Sequence, residues 1–546
     1  MKSIWQDSIR VINNKKYMLA LSIVALCSYG FAITQPIIGI DDSAIGRYFE
    51  EGLGPTMGRY GFYLLNKILP VAEYTPFIVD FLGVLLLIVG AASWCVVWER
   101  FLGYKLSVNA SIVFSSVMIS APIISEDFIY YLHNGIGICY VLSAYMMIIL
   151  LDAIQLESKD KWKKYATALL ILWICNSFYE SFTVVLLMAL AMGAVLKIVV
   201  AKQVVSLVSL IKQYIAAGVL LVISIVIRSI AIESVILIFS LQDQLGIMNK
   251  RSVLEALDWF KSSNGLAELV MTIKKYIAMY YVNAIAYIPI RIYVLAVAMM
   301  FIVSCFMLIK HKKILPLLLT AMMQFIPLIL LFIEGHATFY RNSQYLPIYV
   351  AFVVLLVTLL VEKQKKFVTV WYVIVGILVY NQAYEMTQWY YIDYMKYEDA
   401  KSTVAFVSYE LERSYDIEKP VVFVGNYSLP EQIVSKMYFS TDSKQYEMID
   451  SILSLLDPNL TSCFMMPYGY SLSTEAMYSV FTWGNIAFEG WDKETHEYFA
   501  IHGHEFLRIM DVDQVQEIQA AYLDLPAFPA EGSIVETDEY IVVKFG

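Results

Sequence analysis

Long apolar runs separated by short polar loops fill the first two thirds of the chain. Runs of roughly 17–25 apolar residues, enough to cross a hydrocarbon core ~30 Å thick, recur from Tyr17 to Tyr384. They predict about eleven spanning helices, near 17–38, 76–98, 106–124, 135–153, 164–179, 181–200, 214–237, 287–309, 314–334, 345–361 and 367–384. The fifth and sixth share one apolar stretch interrupted by Asn176, Tyr179 and Glu180, so they read either as two spans or as a re-entrant hairpin. After about residue 390 the texture changes. Residues 391–414 continue as a polar helix, PVVFVGNY at 420–427 reads as a buried strand running into a turn, 511–523 as a helix and 540–545 as a closing strand. The pattern therefore predicts an α-helical polytopic membrane domain over 1–390 and a small α/β domain over 391–546. No internal repeat or low-complexity segment appears.

Composition agrees with a membrane frame. The 546 residues are 59% hydrophobic and only 16% charged, with a mean hydropathy of +0.63. Soluble domains carry about 25% charged residues. The net charge of −9 hides a division: Ile392 to Gly546 holds 9 Lys and Arg against 26 Asp and Glu, and the rest holds 30 against 22. An acidic tail beside a basic membrane part excludes nucleic acid as a natural partner, because phosphate would be repelled. Basic residues also set the orientation. Every second short loop is rich in them: Lys15 and Lys16, Arg100 and Lys105, Lys161 to Lys164, Lys197 to Lys212, Lys310 to Lys313, Lys363 to Lys366. These loops read as cytoplasmic, with the N-terminus inside and, after an odd number of spans, the tail outside. The first run is followed by Pro36 and an acidic pair without a small-residue cleavage site, so it reads as a retained helix. Five of six cysteines lie in apolar runs, and none has metal-type spacing.

The outer loops carry the chemistry. Asp41 and Asp42 follow the first span directly, with Arg47 and Arg59 further along the same loop. A like-charged neighbour and partial burial raise a carboxyl's pKa, which suits a general base, and the arginines suit an anion. The same pair also reads as a solvated helix end. Glu126 and Asp127 repeat the arrangement on the second outer loop, and two such pairs can converge on one cleft. His336, Tyr340 and Arg341 sit in the last short outer loop, where Arg341 suits bidentate phosphate recognition or interfacial snorkelling. Arg228, Arg291 and Glu180 lie within or at the edge of spans, as functional groups or as helix-packing partners. In the tail His496, His502 and His504 cluster with Glu494 and Glu497 but show no recognised metal-ligand spacing, and read as a solvated loop. Gly-rich phosphate loops and the GxSxG elbow are absent from the sequence, so nucleotide-driven transport and serine hydrolysis have no support. A residues 254–266 stretch with Leu254, Leu257, Phe260 and Leu266 reads as amphipathic and interfacial.

Six segments together carry a resemblance: IDD at 40–42, GRYGFYLL at 58–65, SEDFIYY at 125–131, NSFYESF at 176–182, YRNSQYLP at 340–347 and LPAFPAEGSIVETDEYIVVKF at 525–545. In this order and spacing they resemble the bacterial type-II Gtr glucosyltransferases. The resemblance implies a GT-C-like fold in the bacterial inner membrane. It implies a polyprenyl-phosphate sugar as donor and, as acceptor, a surface polysaccharide such as O-antigen or its lipid-linked precursor. It also implies that Asp41 and Asp42 are catalytic, with Glu126 and Asp127 beside them. Arg47, Arg59, Arg341, His336 and Tyr340 become the residues for the donor phosphate. The family pattern often has Gln in place of Glu180, which leaves that carboxylate without a role by resemblance. The sequence names no cofactor and leaves a metal requirement open; the one the acidic outer loops could hold is a divalent metal. Two other readings stand beside this one. A transporter or flippase of lipid-linked sugars favours mid-membrane charges and symmetric halves, whereas the acids here crowd the outer loops. An envelope scaffold leaves the acidic loops unexplained.

Overall fold

The computed structural model describes residues 2–37, 52–69, 77–129, 131–156, 160–241, 265–285, 288–330, 340–364, 367–437, 444–458, 479–482 and 492–546. Its helices in chain order are α1 (Lys2–Ile12), α2 (Lys15–Thr34), α3 (Leu53–Thr56), α4 (Tyr60–Ile68), α5 (Ile78–Leu102), α6 (Val108–Ile119), α7 (Ile124–Ile129) and α8 (His133–Gln155). Next come α9 (Lys161–Phe178), α10 (Phe182–Val199), α11 (Leu207–Ile238), α12 (Gly265–Tyr280), α13 (Ile288–His311), α14 (Leu315–Phe325), α15 (Tyr345–Val361) and α16 (Val368–Ser414). A helix coincides with each of the eleven predicted runs. Six of them, α2, α5, α8, α10, α11 and α13, are long and apolar enough to cross a membrane. The runs at α6, α14 and α15 are apolar but shorter. The protein is thus a mostly helical membrane protein. The amphipathic reading of 254–264 lies outside the described residues, and Leu266 belongs to α12.

Burial sorts these helices into an inner and an outer set. The apolar window of α10 is 94% buried, whereas those of α2, α11 and α13 are buried over about a third or less. Leu26, Val222 and Ile302 project outward as exposed aliphatics, a surface that suits hydrocarbon and not water. Association within such a frame relies on close packing and interhelical hydrogen bonds. Tyr17 donates to Ser115 Oγ at 2.8 Å between α2 and α6. Tyr281 and Tyr293 both donate to Gln324 Oε1, at 3.1 and 2.9 Å, and gather α12, α13 and α14.

α16 joins the two parts of the chain. Its 47 residues span roughly 70 Å at 1.5 Å per residue. The first half packs on α2 and exposes Val370, Val373 and Ile377. The second half buries Ala400, Val404, Val407 and Leu411 in the tail. There β1 (Val421–Val424) pairs in parallel with β3 (Ile541–Lys544), which pairs antiparallel with β2 (Ile534–Glu536). Val421 and Phe423 face α16, while Val422 and Val424 pack on Val515 and Ile518 of a helix at Val512–Ala521. Both faces are covered, which is why this strand reads as an unbroken apolar run. Helices were expected at 391–414 and 511–523 and strands at 420–427 and 540–545, and each stands there. A further helix, Lys444–Leu456, rests on α12 through Ile449, Leu453 and Ala278, with Lys274 donating to Asp457 at 2.9 Å.

Candidate active site

The acids at 126 and 127 do not stand in water. Pro122 and Ser125 start the short helix α7, with Ser125 Oγ donating to the Pro122 carbonyl at 2.6 Å. α7 is packed against the 3-10 turn Tyr340–Asn342 and α16, and Glu126 and Asp127 are fully buried. Each carboxyl has its own partner. Gln344 Nε2 donates to Asp127 Oδ1 at 2.9 Å and Oδ2 at 3.1 Å, and to the Arg341 carbonyl at 2.7 Å. Tyr140 donates to Gln344 Oε1 at 2.7 Å and lies 3.0 Å from its carbonyl. The Arg341 backbone N–H donates to the Glu126 carboxylate. Glu126 Oε1 is buried and has no hydrogen-bond partner among the described residues. Burial pushes both carboxyls well above the usual carboxylate range; the Arg341 charge opposes this at Glu126, and Gln344 and Arg341 oppose it at Asp127.

The NSFYESF segment supplies the opposite wall. Asn176 Nδ2 donates to Ser224 of α11 at 3.0 Å, and its Oδ1 accepts from Thr183 at 3.2 Å, so one amide ties α9, α10 and α11 at the break. The structure has two separate helices here, with Tyr179 in extended backbone between them. Tyr179 donates to Asn342 Oδ1 at 2.6 Å, and the Arg59 guanidinium lies over its ring at 4.3 Å. Glu180 sits between two buried arginines, 3.9 Å from Arg59 and 3.5 Å from Arg228. Arg228 also donates to the Gly58 carbonyl at 3.0 Å. Gly58 has φ +83°, and a Cβ there would lie 2.5 Å from the Arg228 guanidinium. Only glycine suits both demands.

Arg59 stacks on Tyr179, Tyr179 donates to Asn342 in the turn that carries Arg341, and Gln344 ties that turn to Asp127 beside Glu126. The structure therefore brings Glu126, Asp127, Arg59 and Arg341 together. Tyr340 has its backbone in the 3-10 turn beside them. Asp41, Asp42, Arg47 and His336 lie outside the described residues. Gln344, Tyr179 and Asn342 were not anticipated, although all three fall within NSFYESF and YRNSQYLP. Glu180, read as a functional group or a helix-packing partner and given no role by the resemblance, pairs with two guanidiniums from other segments. Arg291 donates to the Ala284 and Ile285 carbonyls and stands apart from the cluster.

A second acid was missed. Asp80, in the first turn of α5, lies 3.3 Å from His133 Nε2, and the His133 ring stacks on Phe128 at 4.3 Å. Asp80 lines a crevice of about 290 Å³, open mouth included, with Gln35, Ile37, Phe128 and Tyr131. Among the described residues no group of three or more His, Cys, Asp or Glu side chains is placed to hold a metal ion. The tail histidines serve local contacts. His496 Nε2 lies 3.0 Å from the Val421 carbonyl, His504 lies 3.2 Å from Glu412, and His502 stacks on Tyr498.

Apolar helices around a buried cluster of carboxyls and guanidiniums define a membrane protein with a buried polar site. The family model described as Glucosyl transferase GtrII matches residues 30–358, more than half of the chain, and the protein belongs to that glucosyltransferase family. The matched range includes every candidate site residue and ends before the tail motif at 525–545. No curated protein and no solved structure matches the chain.

Proposed function

We propose that this glucosyltransferase moves a glucosyl group from a polyprenyl-phosphate sugar to a surface polysaccharide or its lipid-linked precursor. The reaction takes place at the outer face of a bacterial inner membrane. In this reading the helical part is GT-C-like and crosses the membrane eleven times, with the N-terminus cytoplasmic and residues 391–546 forming an outer domain. The observation that carries the proposal is the gathering of Glu126, Asp127, Arg341 and Arg59 around Tyr179.

The chemistry has three needs. An acceptor hydroxyl attacks the anomeric carbon, and the bond from that carbon to the phosphate oxygen breaks. The hydroxyl proton passes to a carboxylate, for which Asp41 and Asp42 are proposed. Polyprenyl phosphate departs with its negative charge, which Arg59 and Arg341 meet, with Arg47, His336 and Tyr340 as further donors. Glu126 and Asp127 shape the field of the site from below. A divalent ion held by the acidic loops would serve the same leaving group.

The test is purified protein given radiolabelled polyprenyl-phosphate glucose and a set of candidate glycans, with and without EDTA. Labelled glycan supports the proposal, and a loss with EDTA adds the metal. Movement of intact lipid-sugar across vesicle bilayers without any transfer would instead identify a flippase.

A further inference from the structure

A second crevice lies at the opposite ends of the helices, between the close of α10 and the start of α11. It measures about 580 Å³ with its open mouth and is lined by Lys197, Gln203, Ser206, Ser209, Gln213 and Phe101. Lys197 is half-buried, with its ammonium 5.4 Å over the Phe101 ring, and has no ion pair among the described residues. No carboxylate lines the crevice among the described residues, and Glu99, two residues before Phe101, and Glu362 are engaged elsewhere. Glu99 accepts from Arg10 and from the Leu106 N–H, and Glu362 accepts from Ser107 at 3.0 Å and Tyr372 at 2.8 Å. Arg100, Lys105, Lys202 and Lys212 are exposed, and Lys363 donates to the Val200 carbonyl at 3.2 Å. Beside the crevice Val204 is 92% exposed, and Leu207, Val208 and Ile211 also project outward.

A cation without a carboxylate, four amide and hydroxyl side chains and a rim of bare aliphatics call for one kind of ligand. It must carry an anionic group, hydrogen-bonding oxygens and attached hydrocarbon. We propose that this crevice binds the head group of an anionic phospholipid, with the phosphate on Lys197, head-group oxygens on Gln203, Ser206, Ser209 and Gln213, and acyl chains over Val204, Leu207 and Val208. The site is separate from the acid and arginine cluster and depends only on the membrane character of the protein.

Native mass spectrometry of the full chain in mild detergent, titrated with phosphatidylglycerol or phosphatidylcholine, tests this. Phosphatidylglycerol should be retained preferentially. Lys197→Ala should weaken it about fivefold, the factor expected for one cation near a phosphate. Lys212→Ala, an exposed cation nearby, should change it by less than about twofold, because exposed charges are screened. If Lys197→Ala does not fold, Ser209→Trp, which fills the crevice, should give the same loss. Equal retention of the two lipids, or equal losses for Lys197→Ala and Lys212→Ala, would overturn the proposal. So would displacement of the lipid by millimolar inorganic phosphate, which would mark a small-anion site.

Discussion

Gln344→Leu is the sharpest test of the buried cluster, because it removes hydrogen bonds while nearly keeping volume. Two acceptors lose their donor: the Asp127 carboxyl, held at 2.9 and 3.1 Å, and the Arg341 carbonyl, held at 2.7 Å. Tyr140 keeps an acceptor, since its hydroxyl also lies 3.0 Å from the Gln344 carbonyl. A buried acceptor stripped of its partner costs about 1–3 kcal/mol, so losing the donor to two of them should cost about 2–6 kcal/mol. The sign with pH follows from burial. The folded-state pKa of Asp127 is raised, so its contribution to stability is fully present at low pH and is lost as pH rises through the folded value. Gln344 opposes that rise. Without it the folded value climbs further, so the loss should grow as pH rises through the wild-type folded value. Denaturation of purified protein from mixed micelles with SDS, followed by tryptophan fluorescence, gives both numbers. A double-mutant cycle with Asp127→Asn should show coupling of about 1–2 kcal/mol. Zero coupling, together with a loss that does not change with pH, would show that the pair is not an interacting unit.

Glu180→Gln should destabilise by about 3–5 kcal/mol, because the buried Arg59 and Arg228 would lose their shared carboxylate; unchanged resistance to SDS would contradict the ion-pair geometry. Asp41→Asn or Asp42→Asn should lower glucosyl transfer by roughly 100-fold or more, the scale of a lost general base, with near-normal turnover in both counting against a catalytic role. Arg341→Lys should raise the apparent KM for the lipid donor with acceptor saturating, since a guanidinium fork holds two phosphate oxygens and an ammonium acts as a point charge. An unchanged KM would assign Arg341 to holding α7 alone. An impermeant thiol reagent should label a cysteine placed in the tail of a cysteine-free variant and miss one placed at Lys161; the reverse pattern would invert the proposed topology.

Period and length made the helices legible. Runs of apolar residues separated by basic loops gave positions close to those of α2, α5, α6, α8 to α11 and α13 to α16, but not the short helices α3, α4 and α7 or the helix α12, and the β-branched run at 421–424 gave the strand. What stayed hidden was pairing over long separations. Glu180 lies in the break between α9 and α10 and Arg228 on α11, and nothing in either local pattern joins them. Gln344 carries no charge and reads as an ordinary residue before an apolar run; its importance comes from Asp127, 217 positions earlier in the chain. Asp80 was absorbed into the apolar run around it, and only the fold sets it beside His133.

The acids at 126 and 127 show why burial matters to the argument. Read as loop residues they need no explanation, because an outer loop tolerates carboxylates in water. The structure removes that explanation by burying both in a six-residue helix. Two adjacent buried carboxyls repel when ionised, and each requires partners to be tolerated at all. Gln344, the Arg341 N–H and the turn at 340–342 meet that requirement only in part, since Glu126 Oε1 remains without a partner among the described residues. Apolar residues of similar size would fill this space at less cost to stability. Packing therefore gives no reason for these carboxyls. The proposed transfer would supply a reason, because an incoming hydroxyl and a charged leaving group call for polar groups held in place in a site kept from bulk water.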